Sequence, residues 1–158
     1  TAGRMCTCTP EMIEKYWNRM TAPLLDRIDL RVAVRMPKPA DLVEQGTLTT
    51  EGLRAEIATA RAAQWKRNRT GAPLSGDSWL NAQLDPAETA RLCALAPGVQ
   101  KLFVRSMEAA RLSGRGGHGI LKVARTVADL EGSAEIREEH LLEAVQFRRW
   151  NGSVPDFL

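Results

Sequence analysis

Apolar positions along this chain change period near residue 37. Over residues 10–18, Met12, Ile13, Tyr16 and Trp17 fall on one stripe at helical spacing. Thr9 stands as the cap, Pro10 takes the first helical position, and Glu11 and Glu14 favour the positive end of the dipole. The period then drops to two. Ile28, Leu30, Val32 and Val34 alternate with Asp29, Arg31, Ala33 and Arg35, which predicts a strand with one buried face. Pro37 and Pro39 stop it, and residues 38–50 read as a linker ending at the helix cap Thr49-Thr50.

Every later periodic segment is helical. Residues 51–67 carry Leu53, Ile57, Ala60 and Gln64-Trp65 at three-and-four spacing, with Arg54, Arg61, Lys66, Arg67 and Arg69 off that stripe. Residues 68–78, rich in Gly, Pro, Ser and Asn, read as a loop. Asp85-Pro86-Ala87-Glu88 combines a cap, a proline at the first position and an acid at the third, and starts a helix expected to run to about Ala96. Val99, Leu102, Phe103, Ser106 and Ala110 mark the next, closing at Ser113-Gly114. Ile120, Ala124, Val127 and Ala128 mark another, which Gly132 ends. A last helix over 138–150 carries Leu141, Leu142, Val145 and Phe147, followed by a frayed tail. The expected organisation is mainly α: residues 1–40 as the edge of an α/β core, 41–50 as a linker, and 51–158 as a bundle of about four or five helices.

Composition narrows the function classes. Aromatics are only 5% of the 158 residues, which disfavours a β-sandwich. The formal charge of +3 is too small to dictate a nucleic-acid or membrane partner. No apolar run is long enough to span a membrane, and the first eight residues lack a secretory core, so the cytoplasm is the expected compartment. The start at Thr1 and the lack of a GxxxxGK[ST] phosphate loop suggest a piece of something longer.

Cys6 and Cys8, spaced C-x-C, offer half of a four-sulfur zinc site or simply two reduced thiols; Cys93 reads as a small buried hydrophobe. His118 and His140 lack paired-ligand spacing and read as loop or helix-surface residues. Residues 114–119, GRGGHG, fit the dinucleotide pattern G-x-G-x-x-G, but the preceding SMEAARLS is helical and no βαβ unit surrounds it. These glycines are expected instead to form a helix-to-helix turn that delivers Arg115 to the next helix. The basic set Arg61, Lys66 and Arg67 suits either a solvated face or the phosphates of DNA.

A wider constellation remains: Cys6-Thr-Cys8, Pro23-Leu24-Leu25-Asp26-Arg27-Ile28-Asp29-Leu30, Ala60-Arg61-x-x-Gln64-x-x-Arg67, Asn81-Ala82, Leu112-Ser113-x-Arg115, Lys122-Val123-Ala124-Arg125-Thr126, and His140-Leu141 with Glu143-Ala144 and Gln146-x-Arg148. In this order and spacing the set resembles the magnesium-chelatase-like AAA+ ATPases, specifically the ComM/YifB group of bacterial competence-related proteins. The resemblance implies the end of an AAA+ core followed by the helical lid. It implies ATP and Mg²⁺ as cofactors of a full-length, ring-forming homo-oligomer, a hexamer, that remodels DNA by helicase or branch-migration activity in transformation. A magnesium-chelatase motor subunit is the alternative within the family, and a non-enzymatic helical DNA-binding or adaptor module the alternative outside it. By the same resemblance Arg27 matches an arginine finger acting in trans, and Arg115 a second sensor for ATP, with Arg125 as the alternative sensor. The 158 residues alone are expected not to hydrolyse ATP.

Overall fold

The computed structural model describes residues 7–32, 34, 37–39, 43, 46, 48–69 and 79–148. Cys6, residues 70–78 of the expected loop, half of the expected linker over 41–50 and the residues after 148 lie outside them. The elements in chain order are α1 (Pro10–Trp17), α2 (Ala22–Asp26), α3 (Thr50–Arg69), a 3₁₀ turn (Asn81–Gln83), α4 (Pro86–Leu92), α5 (Pro97–Ala109), α6 (Gly114–Leu130) and α7 (Glu138–Gln146). The protein is mainly α, with α3 to α7 forming the expected bundle. No helix among the described residues is long and apolar enough to cross a membrane.

Local chemistry sets the helix ends. Thr9 accepts from the Met12 N–H at 3.3 Å to start α1. Asp85 and Glu88 exchange side-chain-to-backbone hydrogen bonds of 2.8 Å in each direction, a complete capping box at α4. Helix α6 opens on Ser113, whose Oγ accepts from the Gly116 N–H at 3.0 Å. It closes on Gly132, at φ 70°, a conformation that favours glycine. There Gly132 N–H bonds to Asp129 O and Ser133 N–H to Ala128 O, so both late carbonyls find donors.

Helix α6 lies at the centre. Ile120, Ala124 and Ala128 are fully buried along one face, in a core shared with Leu84, Cys93, Val99, Ile136, Leu141, Ala144 and Val145. Burying a side chain such as Ile120 or Leu141 contributes about 1.5–3 kcal/mol. Leu95 and Ile136 form an isolated parallel bridge at one end of the bundle.

Four expectations require correction. Residues 28–32 are not a strand: Ile28, Leu30, Val32 and Val34 remain 36%, 53%, 68% and 82% exposed. Alternation specifies a two-faced ribbon, but a strand also needs a neighbour for its backbone, and the segment's backbone reaches a distant element through one bond among the described residues, Arg31 N–H to Phe147 O at 3.0 Å. Second, the glycines of 114–119 are not a turn but the first turns of α6. Third, α4 stops at Leu92, leaving Cys93 as its cap, although Cys93 is buried as expected. Last, His140 is fully buried rather than on the surface.

Candidate functional site

The segment carrying Arg27 is fastened to the start of α6. Ser113 Oγ donates to Asp26 Oδ2 at 2.8 Å. Arg148, just beyond α7, donates to the Asp26 carbonyl at 3.0 Å and to Asp29 Oδ1 at 2.5 Å, with its side chain only 1% exposed. The glycines of α6 make this approach possible. A Cβ on Gly119 would overlap Arg148 Nη2 and Asp29 Oδ1, and one on Gly116 would sit 3.3 Å from Asp26 Oδ1. A Cβ on Gly117 would meet Met107 Cε at 2.8 Å. These glycines are therefore packing positions, which let an ion pair rest on the helix backbone.

This anchoring brings the elements of two expected site residues together. Arg27 caps the end of α2 and is exposed, its Nη1 donating to the Pro23 carbonyl at 3.1 Å. Arg115 is exposed in the first turn of α6, with no hydrogen-bond or ion-pair partner among the described residues. Both guanidiniums keep donors available for an external anion.

Arg125 has a different environment. It is 2% exposed, and its Nε donates to Asp129 Oδ1 at 3.1 Å while its Nη atoms donate to the carbonyls of Ala134 and Ser133 at 2.9 and 2.5 Å. Burial pulls its pKa down, and Asp129 opposes that shift. Its guanidinium secures the turn after α6.

The expected DNA-contacting residues also divide. Arg61 and Lys66 are exposed on α3. Arg67 turns inward and grips Asp129 with both Nη atoms at 2.5 and 2.9 Å, and it reaches Asn81 Oδ1 at 2.8 Å. Asn81 donates to Asp129 Oδ2 at 2.9 Å and to Thr126 Oγ1 at 3.1 Å, and its N–H bonds to Gln64 Oε1 at 3.2 Å. Asn68 donates to Trp79 O at 2.6 Å. Helix α3 thus docks on α6 through a face of small and amide side chains, Ala60, Gln64 and Asn68, while Leu53, Ile57 and Trp65 of its apolar stripe stay 44%, 49% and 52% exposed. The sequence signal for this dock was available: the small Ala60 and the amides Gln64 and Asn68 share one face, four apart.

Glu131, Glu139 and His140 place potential ligand atoms within 4.8 Å of one another. The centre of that group already holds a cation, the Arg137 guanidinium, which pairs with Glu131 at 2.9 Å and Glu139 at 2.8 Å. His140 Nδ1 accepts from the Arg137 N–H at 3.0 Å, so Nε2 carries the proton and donates to Glu131 at 2.9 Å. That hydrogen bond, first among several causes, holds the Glu131 carboxyl below its ordinary pKa. Cys8 is exposed.

Fold and site together define a helical module clamped to an arginine-bearing segment at its N-terminal side. The chain belongs to the magnesium chelatase, subunit ChlI C-terminal family, whose model matches residues 47–148; a second model, magnesium chelatase subunit ChlI, matches residues 1–42. It is 36% identical over 141 residues to "Competence protein ComM" of Haemophilus influenzae, covering 89% of this chain and 26% of that protein. Identity is 35% over 149 residues with "Uncharacterized protein YifB" of Escherichia coli, covering 92% of this chain and 28% of that protein. With "Uncharacterized protein YifB" of Salmonella typhimurium it is 32% over 148 residues, covering 92% and 28% respectively. The chain thus spans about a quarter of the length of these curated relatives, and the resemblance read from its motifs is borne out.

Proposed function

We propose that this chain is the end of the core and the helical lid of an ATP-hydrolysing, ring-forming AAA+ protein that remodels DNA, of the kind its ComM relative's name associates with competence. In this reading residues 1–40 belong to the core, 41–50 link, and 51–158 form the lid.

The observation that carries the reading is the contrast among arginines. Arg27 and Arg115 are exposed without a carboxylate partner among the described residues, on elements tied by the Asp26–Ser113 hydrogen bond, whereas Arg125 is buried and fully engaged. This contrast supports Arg115, rather than Arg125, as the sensor. Bound ATP with Mg²⁺ would supply the anhydride whose hydrolysis drives the motor. Arg27 would present a planar, permanent charge to the phosphate held by the neighbouring subunit, and Arg115 would contact that of its own. Their shared anchoring would couple the two contacts mechanically. Arg61 and Lys66 remain the DNA-facing pair on α3, without Arg67.

The family description favours a second reading, the motor subunit of a magnesium chelatase. ATP turnover by the full-length protein, measured with DNA and with a porphyrin acceptor, separates the two. Stimulation by DNA alone supports the remodelling reading, porphyrin dependence overturns it, and no turnover under any condition removes both motors in favour of an adaptor.

A further inference from the structure

A groove of about 820 Å³ runs between α5, α7 and the extended segment after α2, and neither Arg27 nor Arg115 lines it. Its lining is unusual in charge: Arg31, Arg105, Arg111 and Arg148 all face it, together with apolar Leu102 and Leu142. Asp29 and Asp26 pair with Arg148. Arg31, Arg105 and Arg111 have no ion-pair partner among the described residues, so three guanidinium charges are left facing one concavity.

The positive charge here is also incompletely compensated by the protein itself. The side chain of Arg148 is 1% exposed, yet its Nε has no hydrogen-bond partner, and the Nε of Arg31 is likewise buried and unpartnered. Burying such donors unsatisfied is unfavourable. The Arg31 pKa is lowered, first by burial and then by the neighbouring Arg148 charge. Arg111, moreover, closes α5 at φ 49°, where Arg111 N–H bonds to Glu108 O and Leu112 N–H to Met107 O. That is a position where glycine is normally favoured, and among the described residues Arg111 is the one non-glycine residue with positive φ. A residue in a strained backbone conformation thus stands at the rim of the groove.

We propose that this groove binds a small oligophosphate anion through Arg31, Arg105 and Arg111, over the fixed charge of Arg148. A multivalent anion would relieve the repulsion among the guanidiniums and give their forked donors matching acceptors. The volume lies within the range of small-molecule sites, and the nearly complete burial of Arg148 suits a compact ligand that enters the groove rather than a duplex passing over it. This inference does not depend on the nucleotide reading above.

The test is calorimetric titration of the intact protein containing this chain with sodium tripolyphosphate in magnesium-free buffer, alone and with a saturating non-hydrolysable ATP analogue. The expected result is saturable binding that persists beside the analogue, whether or not the analogue itself binds. It should weaken at least about tenfold in Arg105→Gln and in Arg111→Gly, and be unchanged in Lys101→Gln, an exposed cation elsewhere on α5. Arg111→Gly relaxes the positive φ, so its melting temperature should be no lower than wild type, which separates lost binding from lost folding. Absence of saturable binding, equal loss in Lys101→Gln, or abolition by the analogue would overturn the proposal. So would an oligodeoxythymidine strand that shows the variant pattern when tripolyphosphate does not, since that would assign the groove to nucleic acid.

Discussion

Arg67 and Asp129, 62 residues apart in sequence, meet through two parallel hydrogen bonds, and Asp129 in turn accepts from Arg125 one helical turn away. One carboxylate, 1% exposed, thereby holds the end of α3, the end of α6 and the turn that follows. The contact fixes where the long basic helix α3 sits, and so where Arg61 and Lys66 point.

Asp129→Ala should consequently be among the most damaging single changes. It would leave Arg125 buried without its counter-charge and release Arg67, which costs about 3–5 kcal/mol. Chemical denaturation would show this as a lower midpoint with an unchanged slope. A loss under about 1 kcal/mol would mean that water replaces the carboxylate and that the network is not what docks α3.

The glycines of α6 give a paired prediction. Gly119→Ala should destabilise by about 1–3 kcal/mol, because its methyl overlaps the Arg148–Asp29 pair. At Gly114 nothing lies within 4 Å of an added Cβ, so Gly114→Ala should be neutral or stabilise by up to about 1 kcal/mol. Thermal melts of the two variants check this, and equal effects would contradict the packing role.

These positions also show what could be read without coordinates. The Asp85–Glu88 box and the Gly132 terminus were legible because each is decided by a few neighbouring residues. The Ile28–Val34 alternation misled because a strand is a property of two segments, and among the described residues this one pairs with no second strand. GRGGHG looked like a turn because glycine is common there. Its actual reason, room for Arg148 against the helix backbone, depends on a residue about 30 positions away and follows from packing alone. Arg67 and His140 were assigned to the surface by polarity, whereas Arg67 turns inward to the buried Asp129 and the His140 ring is itself buried, bonded to Arg137 N–H and Glu131. The candidate arginines were found through motif resemblance, and only their burial distinguishes Arg115 from Arg125.

That distinction is measurable in the full-length protein. Arg115→Ala should leave the melting temperature within about 2 °C of wild type, since an exposed arginine contributes little to stability, while weakening ATP binding or uncoupling lid closure. Arg125→Ala should instead lower stability by about 3 kcal/mol, because two carbonyls and a buried carboxylate lose their donor. If Arg125→Ala stays folded and loses turnover while Arg115→Ala keeps wild-type ATP affinity, the sensor assignment moves to Arg125.

For Arg27 the discriminating experiment is mixing. If Arg27 acts as proposed, Arg27→Ala should abolish turnover yet leave nucleotide binding by the same subunit largely intact, because in that reading its charge serves a neighbour. Combining it with a phosphate-loop variant should restore partial activity in mixed rings. No recovery at any ratio would count against action in trans.

Cys93 provides the pH dependence. Burial, ahead of all other causes, raises its thiol pKa from 9.0 to about 11; Arg67 and Arg125 nearby oppose the shift, and Asp129 adds to it. A raised folded-state pKa means the folded protein prefers the neutral thiol. Its contribution is therefore complete below pH 9.0 and is lost as pH rises toward about 11. The loss amounts to about 2–3 kcal/mol, superimposed on other alkaline titrations. Cys93→Ala removes the group, so the difference between wild-type and variant denaturation curves at pH 8 and pH 11 isolates it. The same burial predicts that iodoacetamide modifies Cys93 in the native protein at pH 8 at least about tenfold more slowly than in urea. Equal alkylation rates in both conditions would show that the thiol is reached without unfolding, and a pH-independent difference between wild type and Cys93→Ala would show that its ionisation is not linked to folding.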